Sequence, residues 1–347
     1  MSRKWPGSLI TKTKVTPAGP YEGGAASGVW TLAEALQWTG KELWPLAGNA
    51  FTPLIFIGGY TTTHTTKIQQ VNPSTTGNAV NWADLSTAVN NASGCGSATR
   101  AVWSPVVGDT NRIEYIDYAS GGTSATFGDV FQSDSVGCGA LSSSTRGCFA
   151  AGDATAARDV ISYITLSSTG NASDFGDLTI ARYYIVGMAS ATRGLWCGGE
   201  ASNQATTRVD YITIASTGNS IDFGGVNTSG VPGGAYIGAG GANTVTGIYG
   251  GGSNNGTSSA MNIIEERTIA SLGDFSDFGD LSTTRINFAA SSSSTRVLFG
   301  GGRDASTTQT DTIEYVTIAS AGNAVDFGNL TAATNTLAAA SAVQGNL

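Results

Sequence analysis

One four-residue phrase, returning at nearly constant spacing, constrains this chain more than any other feature. Asp174-Phe175-Gly176-Asp177 comes back as Asp222-Phe223-Gly224-Gly225, Asp277-Phe278-Gly279-Asp280 and Asp326-Phe327-Gly328-Asn329. Looser copies stand at Thr126-Phe127-Gly128-Asp129 and Asn81-Trp82-Ala83-Asp84. The aromatic positions 82, 127, 175, 223, 278 and 327 lie 45, 48, 48, 55 and 49 residues apart. Six copies of a unit this long mark an array in which each unit buries its apolar face against its neighbours.

Other marks keep the same phase. Ser/Ala-Thr-Arg ends at Arg100, Arg146, Arg193 and Arg296, and an aromatic follows three positions on at Trp103, Phe149, Trp196 and Phe299. Small residues come next, as Ala151-Gly152, Gly198-Gly199 and Gly300-Gly301. Copies without the Arg still place Phe56 before Gly58-Gly59 and Tyr249 before Gly250-Gly251. Further on runs a period-2 pattern: Ile113-x-Tyr115, Ile161-x-Tyr163, Val209-x-Tyr211 and Ile313-x-Tyr315. Alternating β-branched and aromatic residues bounded by Gly, Ser and Asn predict strands. No stretch of the body sustains a helical period. Each unit therefore predicts four short strands, in one copy 184–190, 194–199, 208–215 and 220–222 running into Phe223.

The ends decide between a ring and an open stack. A solenoid needs atypical capping units, but this body opens inside a unit, at Pro53-Leu54-Ile55-Phe56-Ile57-Gly58-Gly59. It also stops inside one: Ser341-Ala342-Val343-Gln344-Gly345 matches Ser190-Ala191-Thr192-Arg193-Gly194. The tail supplies the strand the first unit lacks. The expectation is an all-β, six-bladed β-propeller over residues 51–347, with residues 335–343 pairing beside 54–59. Ring closure also removes the exposed sheet edges that invite aggregation.

Gly198-Gly199, Tyr211 and Phe223, with Arg182 and Arg285 in the position after a blade aromatic, resemble the elements of a Kelch-type repeat. The resemblance spans residues 53–347, with Phe in place of the usual Trp except at Trp82. The turn Thr213-Ile214-Ala215-Ser216-Thr217-Gly218-Asn219 resembles repeats in structural proteins of marine and cyanobacterial tailed phages. Gly28-Val29-Trp30-Thr31-Leu32, with Trp44-Pro45 beyond it, resembles a segment common in phage virion proteins. That likeness implies a fibre, spike or tail-associated adhesin, made in the host cytoplasm and held in several copies in a particle.

The first 50 residues differ in composition. The chain holds 25 acidic and 17 basic residues, a net charge of −8. Arg3, Lys4, Lys12, Lys14 and Lys41 against Glu22, Glu34 and Glu42 give residues 1–50 a balance of +2, leaving −10 on residues 51–347. Thr31-x-x-Glu34 is a capping box and Gly40 a natural stop, which predict a short helix over 32–39. Eight residues are too few for a helix stable alone in water. Residues 18–28, rich in Gly, Ala and Pro, predict an extended linker. The arm thus presents Trp5, Trp30, Leu32, Leu36, Trp38 and Trp44, which must bury against its own propeller or another subunit. Other virion proteins are the partners expected for it.

Several classes of function lose support on composition. An acidic, Lys-poor chain is a poor nucleic-acid binder. No apolar run approaches the roughly 18–20 residues that cross a bilayer. The start, Met1-Ser2-Arg3-Lys4-Trp5-Pro6, has no apolar core of a signal peptide. The four cysteines form no CxxC pair and lie in apolar or Gly-rich stretches, so packing thiols are expected. A single histidine, His64 in the polar loop 60–66, leaves no His-rich metal site and reads as a surface residue. Asp-Phe-Gly in four copies at blade spacing reads as turn and core, since a kinase uses it once. No carboxylate pair stands apart from the repeat, so a glycosidase gains no support. No enzyme activity, cofactor or metal is expected.

Binding is expected where the copies differ. Turns such as Ser167-Ser168-Thr169-Gly170-Asn171 and Ser216-Thr217-Gly218-Asn219 are nearly the same from blade to blade. Loops after the double glycine (60–66, 153–157, 200–206, 253–259, 303–310) and between blades (131–135, 226–234) are not. In a closed ring both sets fall on one face, and loops over a rigid scaffold carry binding. The candidate ligand face is Tyr60, His64, Phe131, Asn203, Gln204, Asn254, Asn255, Arg303 and Asp304, with polar groups suited to sugar hydroxyls. The expected function is a non-enzymatic virion protein, anchored by its arm, that presents the propeller for assembly or for attachment to a host-surface glycan. A free carbohydrate-binding propeller, or a propeller hydrolase, is the alternative.

Overall fold

The computed structural model describes residues 53–105, 111–131, 136–152, 157–226, 234–254 and 260–341. The arm, its expected helix over 32–39, the six residues Trp5, Trp30, Leu32, Leu36, Trp38 and Trp44, and the loop residue Asn255 lie outside the described residues.

Six four-stranded antiparallel blades surround one axis, and no helix occurs among the described residues. From the axis outward, blade 2 runs Ser93–Gly96, Arg100–Ser104, Arg112–Asp117 and Ala125–Asp129. Blade 3 runs Gly139–Ser142, Arg146–Ala150, Arg158–Thr165 and Ser173–Arg182; blade 4 runs Val186–Ala189, Arg193–Cys197, Arg208–Thr213 and Ile221–Gly225. Blade 5 is Ala239–Ala242, Thr246–Gly250, Ile263–Thr268 and Ser276–Asp280; blade 6 is Ala289–Ser292, Arg296–Gly300, Thr312–Thr317 and Val325–Asn329. Blade 1 takes Leu54–Ile57, Lys67–Val71 and Val80–Asp84 from the start of the body and its innermost strand, Ala338–Ser341, from the far end. The closing register runs from Leu54↔Ser341 to Ile57↔Ala338, as the two incomplete ends required.

The strand expected over 184–190 begins two residues later, at Val186. Tyr184 has φ 55°, which no strand residue adopts. Innermost strands converge on the axis, and their composition follows from that crowding. They read AAAS, SGCG, GALS, VGMA, AGGA and AASS. At Gly187 a Cβ would lie 2.1 Å from the Ala140 carbonyl of the neighbouring blade, so the strands approach closer there than any side chain permits.

Apolar burial is divided among the blade interfaces. Six clusters lie between successive blades, and alternate residues of each second strand serve two of them. Leu54 and Phe56 pack toward blade 6, while Ile55 and Ile57 pack toward blade 2. This two-sided burial is why Leu54–Ile57 is an uninterrupted apolar run.

The Asp-Phe-Gly phrase serves the same interfaces. Its Phe is buried at 127, 175, 223, 278 and 327, and its carbonyl accepts from a Gly N–H in the turn of the next blade. The pairs are Phe127–Gly170, Phe175–Gly218, Phe223–Gly273, Phe278–Gly322 and, across the closure, Phe327–Gly77, at 2.7–2.9 Å. The following Asn or Asp side chain completes the stitch: Asn171 Oδ1 accepts from the Asp129 N–H and Asn219 Oδ1 from the Asp177 N–H, both at 3.1 Å. A Cβ on Gly176 would lie 2.5 Å from the Gly218 carbonyl, so the phrase needs its glycine for backbone-to-backbone contact. The one interface without this turn, from blade 1 to blade 2, substitutes a parallel bridge, Ala83↔Gly122 and Asp84↔Thr123.

The Ser/Ala-Thr-Arg phrase has its own partner. Arg100, Arg146, Arg193 and Arg296 lie over Tyr115, Tyr163, Tyr211 and Tyr315 at 4.2–4.4 Å from the ring centres. Each then donates to a carbonyl of the next blade, on Leu166, Ile214, Ile269 and Pro73 in turn. Blades 1 and 5, which lack the Arg, carry Gln70 and Glu266 where the others carry Tyr. Arg and Tyr are present or absent together because the planar guanidinium stacks on the ring while bonding beyond it. Arg193→Lys keeps the charge and loses the stack. It is expected to cost about 1 kcal/mol, or about 2 °C in melting temperature for a ring of this size; an unchanged melting curve would show that the stack contributes nothing.

All four cysteines are reduced and buried, at the packing positions expected of them. Burial pushes the Cys138 and Cys148 thiols up to about 12, and Cys95 and Cys197 higher still. The native protein at pH 8 is therefore expected to give no thiolate reaction with Ellman's reagent, and four equivalents after unfolding in guanidinium. A thiol that reacts before unfolding would show that its blade interface opens.

Candidate functional site

The chain reaches the same end of the ring six times, each time just before an innermost strand. The residues there, Asn91, Gly137, Tyr184, Ile237, Asn287 and Thr336, all have left-handed φ values, between 52° and 70°. They bond to one another around the axis. The Gly137 N–H donates to Asn91 O (3.2 Å), Tyr184 to Gly137 (2.6 Å), Ile237 to Tyr184 (3.4 Å), Asn287 to Ile237 (3.0 Å), Thr336 to Asn287 (2.7 Å) and Asn91 to Thr336 (3.2 Å). The circuit is complete, with every donor turned the same way around. For Tyr184, and more so for β-branched Ile237 and Thr336, this backbone conformation is unfavourable, of order 1–3 kcal/mol each. The closed circuit of bonds holds them in it.

This ring separates two spaces. Beneath it runs a narrow axial cavity of about 110 Å³, lined by the innermost strands. Above it opens a bowl of about 610 Å³, floored by Asn91, Tyr184, Ile237, Asn287 and Thr336. The bowl wall is built by one device used repeatedly. The residue after the double glycine exchanges two backbone bonds with the residue before the ring position: Tyr60 with Asn335, Glu200 with Tyr183, Ser253 with Tyr236, and Arg303 with Ile286, all at 2.8–3.1 Å. The two glycines turn the chain outward to reach this position, with φ 57° and 99° at Gly58-Gly59 and 63° and 101° at Gly198-Gly199. In the two triple-glycine copies the last two glycines do this, Gly251-Gly252 and Gly301-Gly302. A constant backbone thus presents Tyr60, Glu200 and Arg303 to the bowl, and their chemistry changes from blade to blade.

Aromatic surface faces the bowl from two sides. On blade 1, Tyr60 meets His64 edge-on with ring centres 5.4 Å apart. Across the axis, Tyr184 lies beside Tyr183 at 5.0 Å and Tyr236 at 6.5 Å. Asn90, Asn335, Thr307 and Gln309 add amide and hydroxyl groups between them. The Gln309 amide donates to Thr61 O (2.9 Å), which ties the wall of blade 6 to that of blade 1. The Asn90 side-chain oxygen is buried without a hydrogen-bond partner.

Of the sequence-derived candidates, Tyr60, His64 and Arg303 line the bowl. The other described candidates do not line it. Asn203, with Ser202, forms the two-residue tip of a small hairpin, Glu200–Ala201 with Gln204–Ala205, and both tip residues have positive φ. Asn suits that turn, and Gln204 follows it on an exposed edge. Asp304 Oδ1 accepts from the Thr308 N–H within its own loop (2.9 Å). Asn254 is partly buried and Phe131 is exposed, and neither lines the bowl. Sequence reasoning placed Glu200 and Gln309 in its variable loops without singling them out, and missed Tyr184, Tyr236, Asn287 and the rest of the ring. A signal existed: the ring position follows the blade aromatic by nine residues at Asn91, Tyr184, Asn287 and Thr336, and Asn or Gly at several copies suits a left-handed backbone.

The remaining buried charges serve the interfaces. Arg182 donates to Asp210 Oδ2 (2.9 Å) and to the carbonyls of Gly198, Arg208 and Trp196, while Asp210 also accepts from Thr179. Arg285 pairs with Glu314 (3.0 Å) in the same manner. Burial pushes the Arg182 guanidinium below its ordinary value, and Asp210 opposes that push. No group of three or more His, Cys, Asp or Glu is placed to hold a metal ion among the described residues. No protein-family model matches the chain, and no curated protein matches its sequence.

Proposed function

We propose that this six-bladed propeller is a non-enzymatic glycan-binding protein of a tailed-phage virion, held in the particle by residues 1–50 and presenting the bowl outward to a host surface. One observation carries the binding part. Residues that join the blades repeat from copy to copy, whereas the wall positions Tyr60, Glu200 and Arg303 share a backbone geometry and differ in chemistry. A scaffold held constant beneath a varied concave surface is the arrangement of a recognition site. Flat tyrosine faces offer apolar contact to a sugar ring, and Asn, Gln and Thr offer donors and acceptors to its hydroxyls. The Kelch-like spacing and the virion-like turn and arm phrases support the rest of the reading.

The test is saturable binding of the full chain to a saccharide panel and to candidate host cells. Tyr60→Ala removes an exposed ring and is expected to weaken saccharide affinity at least tenfold with the melting temperature unchanged. Removing residues 1–50 leaves every blade and the closing strand in the chain. That truncated protein is expected to fold and bind saccharide yet to be missing from assembled particles. Normal incorporation would favour a free carbohydrate-binding module, and turnover of a bound saccharide would favour a hydrolase.

A further inference from the structure

Positive charge in this propeller is almost wholly engaged by neighbours. Arg100, Arg146, Arg193 and Arg296 stack on tyrosines and bond across blade interfaces. Arg182 and Arg285 are buried with carboxylates; Arg112 pairs with Glu114 and Arg208 with Asp222. Arg267 donates to the Ser271 carbonyl, and Arg158 also has a neighbour engaging it. Arg303 alone, among the arginines and lysines of the described residues, makes no side-chain hydrogen bond or ion pair, and its Nε is buried.

Its position is the bowl wall. The backbone of Arg303 is fixed from both sides, by Ile286 and by Gln309. The adjacent carboxylate, Asp304, is turned back onto Thr308 of its own loop and leaves the guanidinium unmatched. Next to it stands the blade 1 wall, joined through the Gln309–Thr61 bond, which presents Tyr60 and His64. The Nε–H of Arg303 is withdrawn from water while the side chain as a whole stays partly exposed to the bowl, and a buried donor without an acceptor is unfavourable until a ligand supplies one. A fixed fork of donors matches a planar carboxylate or a sulfate in two parallel bonds, and an aromatic pair alongside matches a sugar ring. Glu200, the acid on the bowl wall, comes from blade 4, two blades away from Arg303.

We infer that the bowl takes an acidic saccharide, its anionic group held by Arg303 and its ring laid against Tyr60 and His64. This rests on the glycan-binding reading and names the ligand class within it. The net −10 of residues 51–347 makes a non-specific attraction of polyanions to this body unfavourable, so acid selectivity has to come from a placed cation.

The full chain is titrated calorimetrically with trigalacturonate, its carboxyl-reduced neutral counterpart and a sulfated galactan oligosaccharide, alongside Arg303→Gln and Arg303→Lys. Binding of at least one acidic probe is expected, at least tenfold tighter than the neutral one, and the stronger acidic probe identifies the anion. Arg303→Gln is expected to abolish that preference with no loss of melting temperature, and Arg303→Lys to restore part of it. A neutral saccharide bound as well as the acidic ones, with Arg303→Gln indifferent, overturns the acidic assignment and leaves the glycan reading standing. No binding of any of the three overturns both.

Discussion

Removing residues 335–347 is expected to leave a chain that no longer folds cooperatively at 25 °C. The deletion takes away Ala338–Ser341 and, with it, the whole inner edge of blade 1. Leu54, Ile55, Phe56 and Ile57, now without solvent exposure, lose their inner neighbour, and Leu337 to Ala340 leave the interfaces with blades 6 and 2. Full burial of one such large side chain contributes about 1.5–3 kcal/mol. Partial exposure of four, together with the lost backbone bonds and the broken ring at Thr336, is comparable with the whole net stability of a typical domain, about 5–15 kcal/mol. The freed apolar edge is also a template for pairing with another chain. The measurement is far-UV circular dichroism with light scattering during heating. A soluble, monomeric product melting within about 5 °C of the full chain would mean that closure by the far end is not what holds the ring.

Asp210→Ala is expected to be the most damaging single substitution in blade 4, at about 3–5 kcal/mol. It leaves Arg182 with its three carbonyl bonds but no counter-charge, at zero exposure. The double variant Arg182→Met with Asp210→Leu removes the charges together and is expected to recover most of that loss, because desolvating a buried pair offsets most of its attraction. The pair links the blade 3 outer strand, which carries Thr179 and Arg182, to the third strand of blade 4, and that outcome would give it a registry role rather than a stabilising one. Chemical denaturation of the two variants decides it. A single variant as stable as the unsubstituted chain would show that Arg182 finds water or another acceptor, and a double variant worse than the single would show that the pair itself stabilises.

Much of the architecture was open to reading because each requirement recurs. A blade needs its Phe at the interface, its Gly for contact with the next turn and its small residues at the axis, so Phe175, Gly176 and Gly187 leave a periodic trace. The unequal ends, Leu54 to Ile57 without an inner partner and Ser341 without an outer one, implied closure before any pairing was seen. The bowl was less open to reading. Tyr60, His64 and Arg303 were found by their departure from the repeat, but the same criterion also selected Asn203 and Asp304, which serve their own turns. Departure marks freedom from the scaffold and does not say which way a side chain faces.

The number of blades, their strand order, the closing strand and the buried character of the thiols were determined by the sequence alone, because local pattern and repetition specify them. The ring of six left-handed residues was decided only by tertiary structure. Asn91, Gly137, Tyr184, Ile237, Asn287 and Thr336 share no side-chain chemistry, and their common role lies in backbone bonds that exist only once six distant segments meet at one axis. The solitude of Arg303 is of the same kind. In sequence Arg303 looks like the ten other arginines of residues 51–347, and only the folded chain shows that it is the one without a side-chain partner. Pairing is a property of distance, and distance between segments hundreds of residues apart is set by the closed ring.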